Sequence, residues 1–585
     1  MASNTITIRD FFNNKFFEIP KYQRGYAWEN QNIDDLFEDI NEAVSSQSNH
    51  YIGTIVLSKD KLDKNKFYIV DGQQRVTTVS LIIQAIVNGL DDENRSFFKR
   101  IYIKEGPRYR LEPLNRDKHY FDNIMEGSIG EPQNNSQHAL KNAVERIALK
   151  VNPIKDKLTF LKAVEDLQIM EFVENTEGDA IRIFQTVNDR GKLLTNIEKA
   201  KSLLIYFSNR YLQGTLDSKI SDDFSDIFEL FDDIKQLGIS LNINRIKNVT
   251  FNEDTILSDH FITFSTETYT PSSSYVLQYL KRKLQEKRNS LDALEAFILN
   301  YILGLKDFFV SFKQLLTKTS VEPKYYKLFS ILQVSATLYP LIIKLNQLSK
   351  LEESVSLSNK RKINFLEIIE LIDIRVYKPG GNFKADICRF TCNFGKEAYA
   401  TMQWLLWFNG AKMSKEQFRG YFNSRVYGNT SLPYIFICYN ETLNKKLYTI
   451  DELKEIMQTD PTIEHILSQT PDFDPLALGF ENEEDYLEYE HKIGNLSLLE
   501  KTLNSLAQNK VPLDKTKIYD RSKFSVSHET SVLISDRKGF TKNDIIERTN
   551  VFSTYVIDRW WCDVNTIKDN EKFIISDEYE EKEDM

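Results

Sequence analysis

Apolar and polar positions recur with two different periods along the first two hundred residues. The stretches 51–57 and 66–71 are short and rich in β-branched and aromatic residues, so they predict two buried strands. Between 76 and 87, apolar residues fill most positions and predict a mostly buried helix. The segments 163–170 and 179–187 predict a further strand and the start of another helix. The beginning of the chain therefore mixes strands with helices.

Further along, the pattern becomes helical without a fixed repeat. Residues 216–398 are interrupted by the loop signals at 270–274 and 348–361. A new apolar helix starts at Met402 and leads into a distinct C-terminal unit, and the last residues are acidic. We predict a helix-rich α+β protein divided into 1–215, a helical middle 216–398, 399–568 and an acidic tail 569–585.

The composition excludes several classes of protein. A chain of 585 residues is too long for one core, and only 21 Gly and 14 Pro argue against a turn-rich all-β fold. Charged residues break every long apolar stretch and the mean hydropathy is −0.41, so we expect no membrane-spanning helix. No secretory signal is visible at the start, and four cysteines do not make a disulfide framework. We therefore expect a cytoplasmic protein.

The net charge of −10 gives no general attraction to nucleic acid, so any contact must come from local basic patches. The densest basic helix candidate spans 275–288. Its residues Lys281 and Lys283 are candidates for contacts with DNA phosphates, and a solvated helix face is the alternative.

Two motifs near the beginning could bind an anion. Residues 19–28 place two Tyr, a Trp and Arg24 in an extended segment suited to base stacking and phosphate pairing, or to packing as an arm. Asp71-Gly-Gln-Gln-Arg75 lies between a strand and a helix, where Gly72 permits a tight turn and the helix start favours an anion. The helix dipole disfavours the charge of Arg75 there, and a bound phosphate would resolve that conflict.

A third polar turn, Asn188-Asp-Arg-Gly191, precedes a helix whose predicted cap is Thr195 with Glu198. The turn could serve only that cap. It is a better candidate for ligand binding if it acts together with Arg75.

The C-terminal unit contains the clearest candidate chemistry. Glu464 and His465 end a strand-like stretch, and 493–499, Asn504, Asn509 and Lys515 follow. A metal-dependent phosphodiesterase needs a base to activate water and a cation to neutralise the scissile phosphate. Imidazole suits the first task, while carboxylate and amide oxygens suit Mg²⁺.

Taken together, these motifs resemble a known family. Residues 1–210, with Tyr22-Gln-Arg24, Asp71-Gly-Gln-Gln-Arg75 and Asn188-Asp-Arg-Gly191, resemble the N-terminal domain of GmrSD-type modification-dependent restriction endonucleases. The resemblance implies a ParB/sulfiredoxin-like α/β domain that binds and hydrolyses nucleotide. Residues 400–565, with Glu464-His-Ile466 and Gly494-Asn-Leu496, resemble the HNH (ββα-metal) nuclease domain of that family, here embedded in helices.

Carried over by position, the resemblance implies a role for each matching residue. His465 would be the general base, Glu464 and Asn504 would bind Mg²⁺ or Mn²⁺, Asn495 would steady the loop, and Lys515 would contact DNA phosphate. His491 is expected at the surface. Two departures affect the loop: Ser468 replaces the usual Pro, and the stretch from His465 to Asn495 is long. The residues implied in binding a nucleoside triphosphate are Tyr22, Gln23, Arg24, Asp71, Gly72, Gln73, Gln74, Arg75, Asn188 and Arg190.

These expectations describe a defence nuclease that cuts foreign, modified double-stranded phage DNA under control of a nucleoside triphosphate. No membrane partner is expected, and the chain could form a homo-oligomer. Two alternatives remain. One is a phosphorothioate-sensing nicking nuclease and NTPase of the SspE type. The other is a nucleotide-controlled DNA-binding switch that does not cleave.

Overall fold

The chain forms two compact units. The computed structural model describes residues 3–20, 23–46, 50–175, 180, 195–265, 273–356, 362–394, 402–470 and 474–562. One unit comprises 1–236 and 272–306, and the other 237–271 and 307–585. The stretch 216–398, which the sequence sets apart, thus contributes to both units, and the predicted domain limits stay predictions.

A six-stranded mixed sheet organises the first unit. Its strand order is β1-β8-β3-β4-β2-β7, with β3 parallel to β8 and antiparallel to β4. The strands of this unit, with a separate β5–β6 pair, are β1 (Ser3–Thr7), β2 (Phe16–Glu18), β3 (Tyr51–Lys59), β4 (Lys66–Asp71), β5 (Lys104–Glu105), β6 (Arg108–Tyr109), β7 (Leu111–Glu112) and β8 (Gln168–Glu174). The two predicted strands are confirmed as β3 and β4, which places the end of β4 beside β3.

The helix Gln73–Asn88 follows β4 directly and is buried along most of its length. Its apolar residues lie on several sides of the helix, because neighbouring helices pack around it. The predicted capping box is also confirmed: Thr195 caps the helix Asn196–Leu212, and the Glu198 carboxylate accepts a hydrogen bond from the Thr195 backbone N–H at 2.9 Å.

Helices dominate the rest of the molecule, so the predicted helix-rich α+β class is confirmed. The second unit adds two antiparallel pairs, β9 (Ser354–Ser356) with β10 (Lys362–Asn364), and β11 (Thr462–His465) with β12 (Leu496–Leu499). The other α-helices within the described residues are Ile8–Phe12, Asn30–Ser46, Asp92–Tyr102, Asn115–Met125, Asn135–Val151, Lys157–Asp166, Asp217–Ser240, Asn244–Lys247, Glu253–Phe264, Ser273–Lys287, Leu291–Val321, Pro323–Tyr326, Tyr339–Gln347, Phe365–Ile372, Lys384–Asn393, Met402–Lys412, Lys415–Asn423, Leu432–Asn444, Ile450–Gln458, Glu483–Glu490, Lys501–Ala507, Pro512–Tyr519, Ser525–Arg537 and Lys542–Trp560.

Short 3₁₀ and π-helical segments complete the described structure: Lys327–Leu332 and Asp373–Tyr377 are π-helices, and Ala336–Leu338, Pro475–Leu478 and Ile493–Asn495 are 3₁₀-helices. Within the described ranges, no helix combines the length and the apolar character needed to cross a bilayer.

Candidate active site

A two-stranded ribbon and the helix after it bring the three C-terminal candidates into one region. Glu464 and His465 end β11 and pair with Ser497 and Leu496 of β12. The helix Lys501–Ala507 follows β12 and carries Asn504, whose amide nitrogen donates to Thr462 Oγ1 at 2.7 Å and to the Ile463 carbonyl at 3.4 Å. The amide nitrogen of Asn504 thus ties the helix to β11.

Glu464 is buried, and both of its side-chain partners bind the same oxygen. The Lys515 ammonium donates to Oε1 at 2.7 Å and the Tyr519 hydroxyl at 3.1 Å. Burial raises the pKa of Glu464, while the two partners act against that rise. Burial likewise lowers the pKa of Lys515. The opposite charges of Glu464 and Lys515 offset the cost of burying each other, so removing either residue would leave the other as an unpaired buried charge.

The position of Lys515 corrects the sequence prediction. Its side chain is fully buried, and its ammonium also donates to the His465 backbone carbonyl at 2.6 Å. An ammonium enclosed in this way does not face the surface along which a DNA backbone runs. Lys515 therefore supports Glu464 and His465 and is not the phosphate contact that was predicted.

His465 is held as a neutral imidazole. Its residue is only 7 % exposed, and burial lowers its pKa to about 3, with the charges of His491 and Lys515 adding to the shift. Nε2 lies 3.1 Å from His491 Nδ1, and the Tyr427 ring centroid lies 4.3 Å from that of His465. A neutral imidazole has a lone pair with which to accept a proton.

His491 and Tyr427 extend the site beyond the residues that the sequence indicates. His491 was expected at the surface, yet it contacts His465 and stacks on Tyr427 with ring centroids 5.1 Å apart. The Val426 N–H donates to the His491 carbonyl at 2.9 Å, which holds the turn containing Tyr427 beside the site. No motif marks this turn, because it lies between two helices far along the chain from Glu464.

Asn495 closes the long loop between the two strands. Its Oδ1 accepts from the Leu467 N–H at 2.9 Å, and its Nδ2 donates to the carbonyls of Glu490 and Leu467 at 2.8 and 3.1 Å. The helix Glu483–Glu490 fills much of the extra length. Ser468, which replaces the usual Pro, donates to Asn509 Oδ1 at 2.7 Å, so the departure adds a polar anchor.

The motif Asp71-Gly-Gln-Gln-Arg75 forms a second polar site, at the end of β4. Gly72 has φ +88°, and a side chain there would meet Ile55 and the Thr54 carbonyl. Burial raises the pKa of Asp71 to about 6, against the opposing effects of the Gly72 N–H and Arg75. The Arg75 guanidinium donates to the Thr54 carbonyl at 3.1 Å.

Both glutamines of this motif bind protein backbone. Gln73 Nε2 donates to the Arg24 carbonyl at 3.2 Å. Gln74 donates to the Gly25 carbonyl at 3.1 Å and accepts from the Ala27 N–H at 2.8 Å. They fasten the segment that follows Gln23, whose own amide donates to the Val70 carbonyl at 2.8 Å. The amide groups that were expected to contact a nucleotide are thus used to hold this segment against the helix.

Gly53 is a residue of this site that the sequence did not single out. It has φ +124°, and a side chain there would lie 2.6 Å from the Arg75 guanidinium carbon. The backbone of β3 therefore gives Arg75 a flat surface on which to lie. A Gly within a strand pattern is the available sequence signal for such a close approach.

Family models match both ends of the chain. Residues 8–205 match the GmrSD restriction endonuclease N-terminal domain, and residues 412–554 match the GmrSD restriction endonucleases C-terminal domain. The chain belongs to the GmrSD restriction endonuclease family. Together the two matches cover more than half of the chain, and each contains one of the two polar sites. No curated protein matches the chain. Membership implies a nuclease with DNA as its substrate.

The remaining candidates of this GmrSD chain lie elsewhere. Tyr22, Asn188 and Arg190 fall outside the described residues. Lys281 and Lys283 lie on the confirmed helix Ser273–Lys287 of the first unit, where Lys281 is exposed and Lys283 reaches Glu286 at 3.3 Å.

Glu464 and Asn504 have the kind of oxygen atoms that a divalent cation shared with a substrate phosphate would need. Among the described residues there is no cluster of three His, Cys, Asp or Glu side chains able to enclose a metal ion. Mg²⁺ does not require one, because it keeps several waters and binds one or two protein oxygens together with substrate phosphate. Glu464 and the Asn504 amide oxygen are the candidates for such a set.

Proposed function

We propose that this GmrSD chain cleaves DNA by metal-assisted hydrolysis of a phosphodiester in an HNH-type site. The observation that carries the proposal is the position of one neutral imidazole, that of His465, on the same ribbon and helix as the oxygens of Glu464 and Asn504. A base and a cation-binding pair are the two requirements of this reaction.

Each residue of the site has a role in the proposal. Glu464 and Asn504 would hold Mg²⁺ or Mn²⁺, which when bound would neutralise charge on the scissile phosphate. His465 takes a proton from the attacking water. Lys515 and Tyr519 hold the Glu464 carboxylate in place through Oε1. Asn495 keeps the loop after His465 against the end of β11.

We further propose that the first unit binds a nucleoside triphosphate and regulates cleavage. Arg75 and Arg24 supply the charge that a triphosphate requires, and the Arg24 guanidinium lies 3.7 Å from Glu198. Gln73 and Gln74 support the site indirectly, because they fasten the segment that carries Arg24. The DNA that is cut is proposed to be foreign and chemically modified, as in phage genomes.

The test is cleavage of plain, glucosylated and phosphorothioate DNA by the full chain with Mg²⁺ or Mn²⁺, with and without each nucleoside triphosphate. His465→Ala should abolish cleavage and leave nucleotide binding intact. His138→Ala, which changes an exposed histidine of the first unit, is the matched control and should cleave like the wild type.

Three other outcomes would each revise the proposal. Full cleavage by His465→Ala would exclude His465 as the base. Cleavage confined to phosphorothioate DNA would indicate the SspE-type alternative. Nucleotide turnover and DNA binding without cuts under any condition would indicate a binding switch.

A further inference from the structure

An exposed loop beside the candidate active site carries a cation that no motif singles out. Residues 508–510 follow the helix Lys501–Ala507, and the Lys510 N–H donates to the Ala507 carbonyl at 3.1 Å. Lys510 is exposed and lies shortly before the buried Lys515 in the chain. Because Lys515 does not face a DNA backbone, Lys510 becomes the candidate for that contact.

Asn509 fastens this loop to the segment that lies over His465. Its Oδ1 accepts from the Ser468 hydroxyl at 2.7 Å, and its Nδ2 donates to Thr470 Oγ1 at 2.7 Å. Between those two partners, the Gln469 amide nitrogen lies 3.1 Å from His465 Nδ1. The residue that follows Asn509 therefore stands beside the proposed base, although the two are distant along the chain.

The charge of Lys510 is available to a ligand. Two other lysines of this region are paired with carboxylates: Lys515 with Glu464 at 2.7 Å and Lys501 with Asp460 at 2.6 Å. Among the described residues, no Asp or Glu forms an ion pair with Lys510. Its ammonium lies near enough to that of Lys515 for the two charges to repel. A phosphate at this loop would offset that repulsion and meet an unpaired cation.

We propose that Lys510 contacts a phosphate of bound DNA beside the bond that is cut, and that Asn509 is the positioning residue that holds it there. This inference rests on the proposed function, because it names a substrate contact of the same site. A lysine ammonium is a point charge, and a phosphate contact carries no sequence information. Lys510 therefore contributes to the affinity for DNA and takes no part in the chemical step.

DNA binding can be measured apart from cleavage in a His465→Ala background. A fluorescently labelled plain DNA duplex is titrated with the full-length protein over a series of NaCl concentrations. Adding Lys510→Ala should weaken binding about 5- to 10-fold at about 0.1 M salt. The slope of log Kd against log salt should fall by about 0.9, as expected for one lost phosphate contact. Lys510→Arg should retain both values. An unchanged slope in Lys510→Ala would overturn the proposal.

Lys517→Ala is the matched control. Lys517 is also exposed, and it lies on the helix Pro512–Tyr519 two positions after the buried Lys515, so the helix turns it to the opposite face. The substitution removes the same charge and should leave the salt slope of the His465→Ala parent unchanged. An equal fall in both variants would refute the contact, because the net charge alone would then account for it.

Cleavage by the otherwise wild-type chain tests the role of Asn509. Lys510→Ala should raise KM for DNA about 5- to 10-fold and leave kcat unchanged. If Asn509 acts through Lys510, Asn509→Ala should raise KM likewise, and the double variant should be no worse than Lys510→Ala alone. Additive losses, or a lower kcat in Asn509→Ala, would exclude the positioning role, because the substitution would then damage the site in another way.

The two kinds of measurement separate this inference from the proposed function. A lower salt slope in Lys510→Ala, without cleavage under any condition, would support the phosphate contact and refute the nuclease. Cleavage with an unchanged slope and KM in Lys510→Ala would refute the contact and leave the nuclease standing. Failure of the His465→Ala chain to bind the duplex at all would contradict both.

Discussion

At the scale of single residues, burial decides which protonation states the second unit uses. His260 is 2 % exposed and His465 7 %, and burial lowers the pKa of each to about 3. A free imidazole has a pKa of about 6.5. Both rings therefore stay neutral in the folded chain at a pH where a free histidine is charged, which penalises folding in acid.

This difference predicts a pH-dependent stability. As pH falls below about 6.5, these histidines become protonated in the unfolded chain but stay neutral in the folded chain. The free energy of unfolding therefore falls by up to about 1.4 kcal/mol per pH unit for each ring. The loss develops between the unfolded pKa and the folded pKa. Thermal unfolding at pH 7.5, 6 and 5 should show a smaller fall for His260→Leu than for the wild type. Parallel curves would contradict the lowered pKa of His260.

At the scale of elements, the candidate active site depends on how closely the helix Lys542–Trp560 approaches the turn before β12. Arg548 of that helix donates to the carbonyls of Gly494 and Leu496 at 2.9 and 3.1 Å. The Gly494 N–H in turn donates to the Thr549 hydroxyl at 3.2 Å. In the Gly-Asn-Leu motif, Gly494 thus allows the close approach of the helix, and the side-chain amide of Asn495 closes the loop.

Gly494→Ala should disrupt this contact. The added carbon would lie 2.1 Å from the Ile545 carbonyl oxygen, so the helix or the turn must move. Overpacking of this kind costs about 1–3 kcal/mol, and we expect a lower midpoint of thermal unfolding together with weaker cleavage. Gly410→Ala is the matched control, because a side chain there meets open space on the helix Met402–Lys412. Equal stability of the two variants would mean that the turn is looser than this contact implies.

At the scale of the whole molecule, the two polar sites belong to different units, and each unit carries its own family match. Substitutions in the C-terminal site should therefore remove the proposed DNA cleavage without removing the proposed nucleotide binding. This separation makes the two proposed activities distinguishable in one chain. It also means that loss of one activity does not by itself imply loss of the other site's structure.

Arg75→Ala should remove the stabilisation of the chain by nucleoside triphosphate, while His465→Ala should retain it. A ligand at 100 times its Kd stabilises the folded state by about 2.7 kcal/mol, which thermal unfolding with and without nucleotide can detect. Retention of the full stabilisation by Arg75→Ala would place nucleotide binding elsewhere. Its loss in His465→Ala would mean that the two sites are not independent.

The sequence by itself determined the features that depend on neighbouring residues. The strands β3 and β4, the buried helix after Gly72 and the cap formed by Thr195 and Glu198 follow from periodicity and turn chemistry within a few positions. The family resemblance, which membership confirms, depends likewise on short motifs at both ends of the chain. Such patterns act locally and can be identified without knowing the fold.

Only the tertiary structure decided which side chains meet. Lys515 reaches Glu464 across 51 positions, His491 reaches His465 across 26, and Gln74 reaches the Gly25 carbonyl across 49. Burial turns Lys515 from a predicted phosphate contact into an internal counter-ion. The fold places the half-buried His491, which was expected at the surface, against His465. Long-range packing sets both distance and desolvation, and no local pattern encodes either of them.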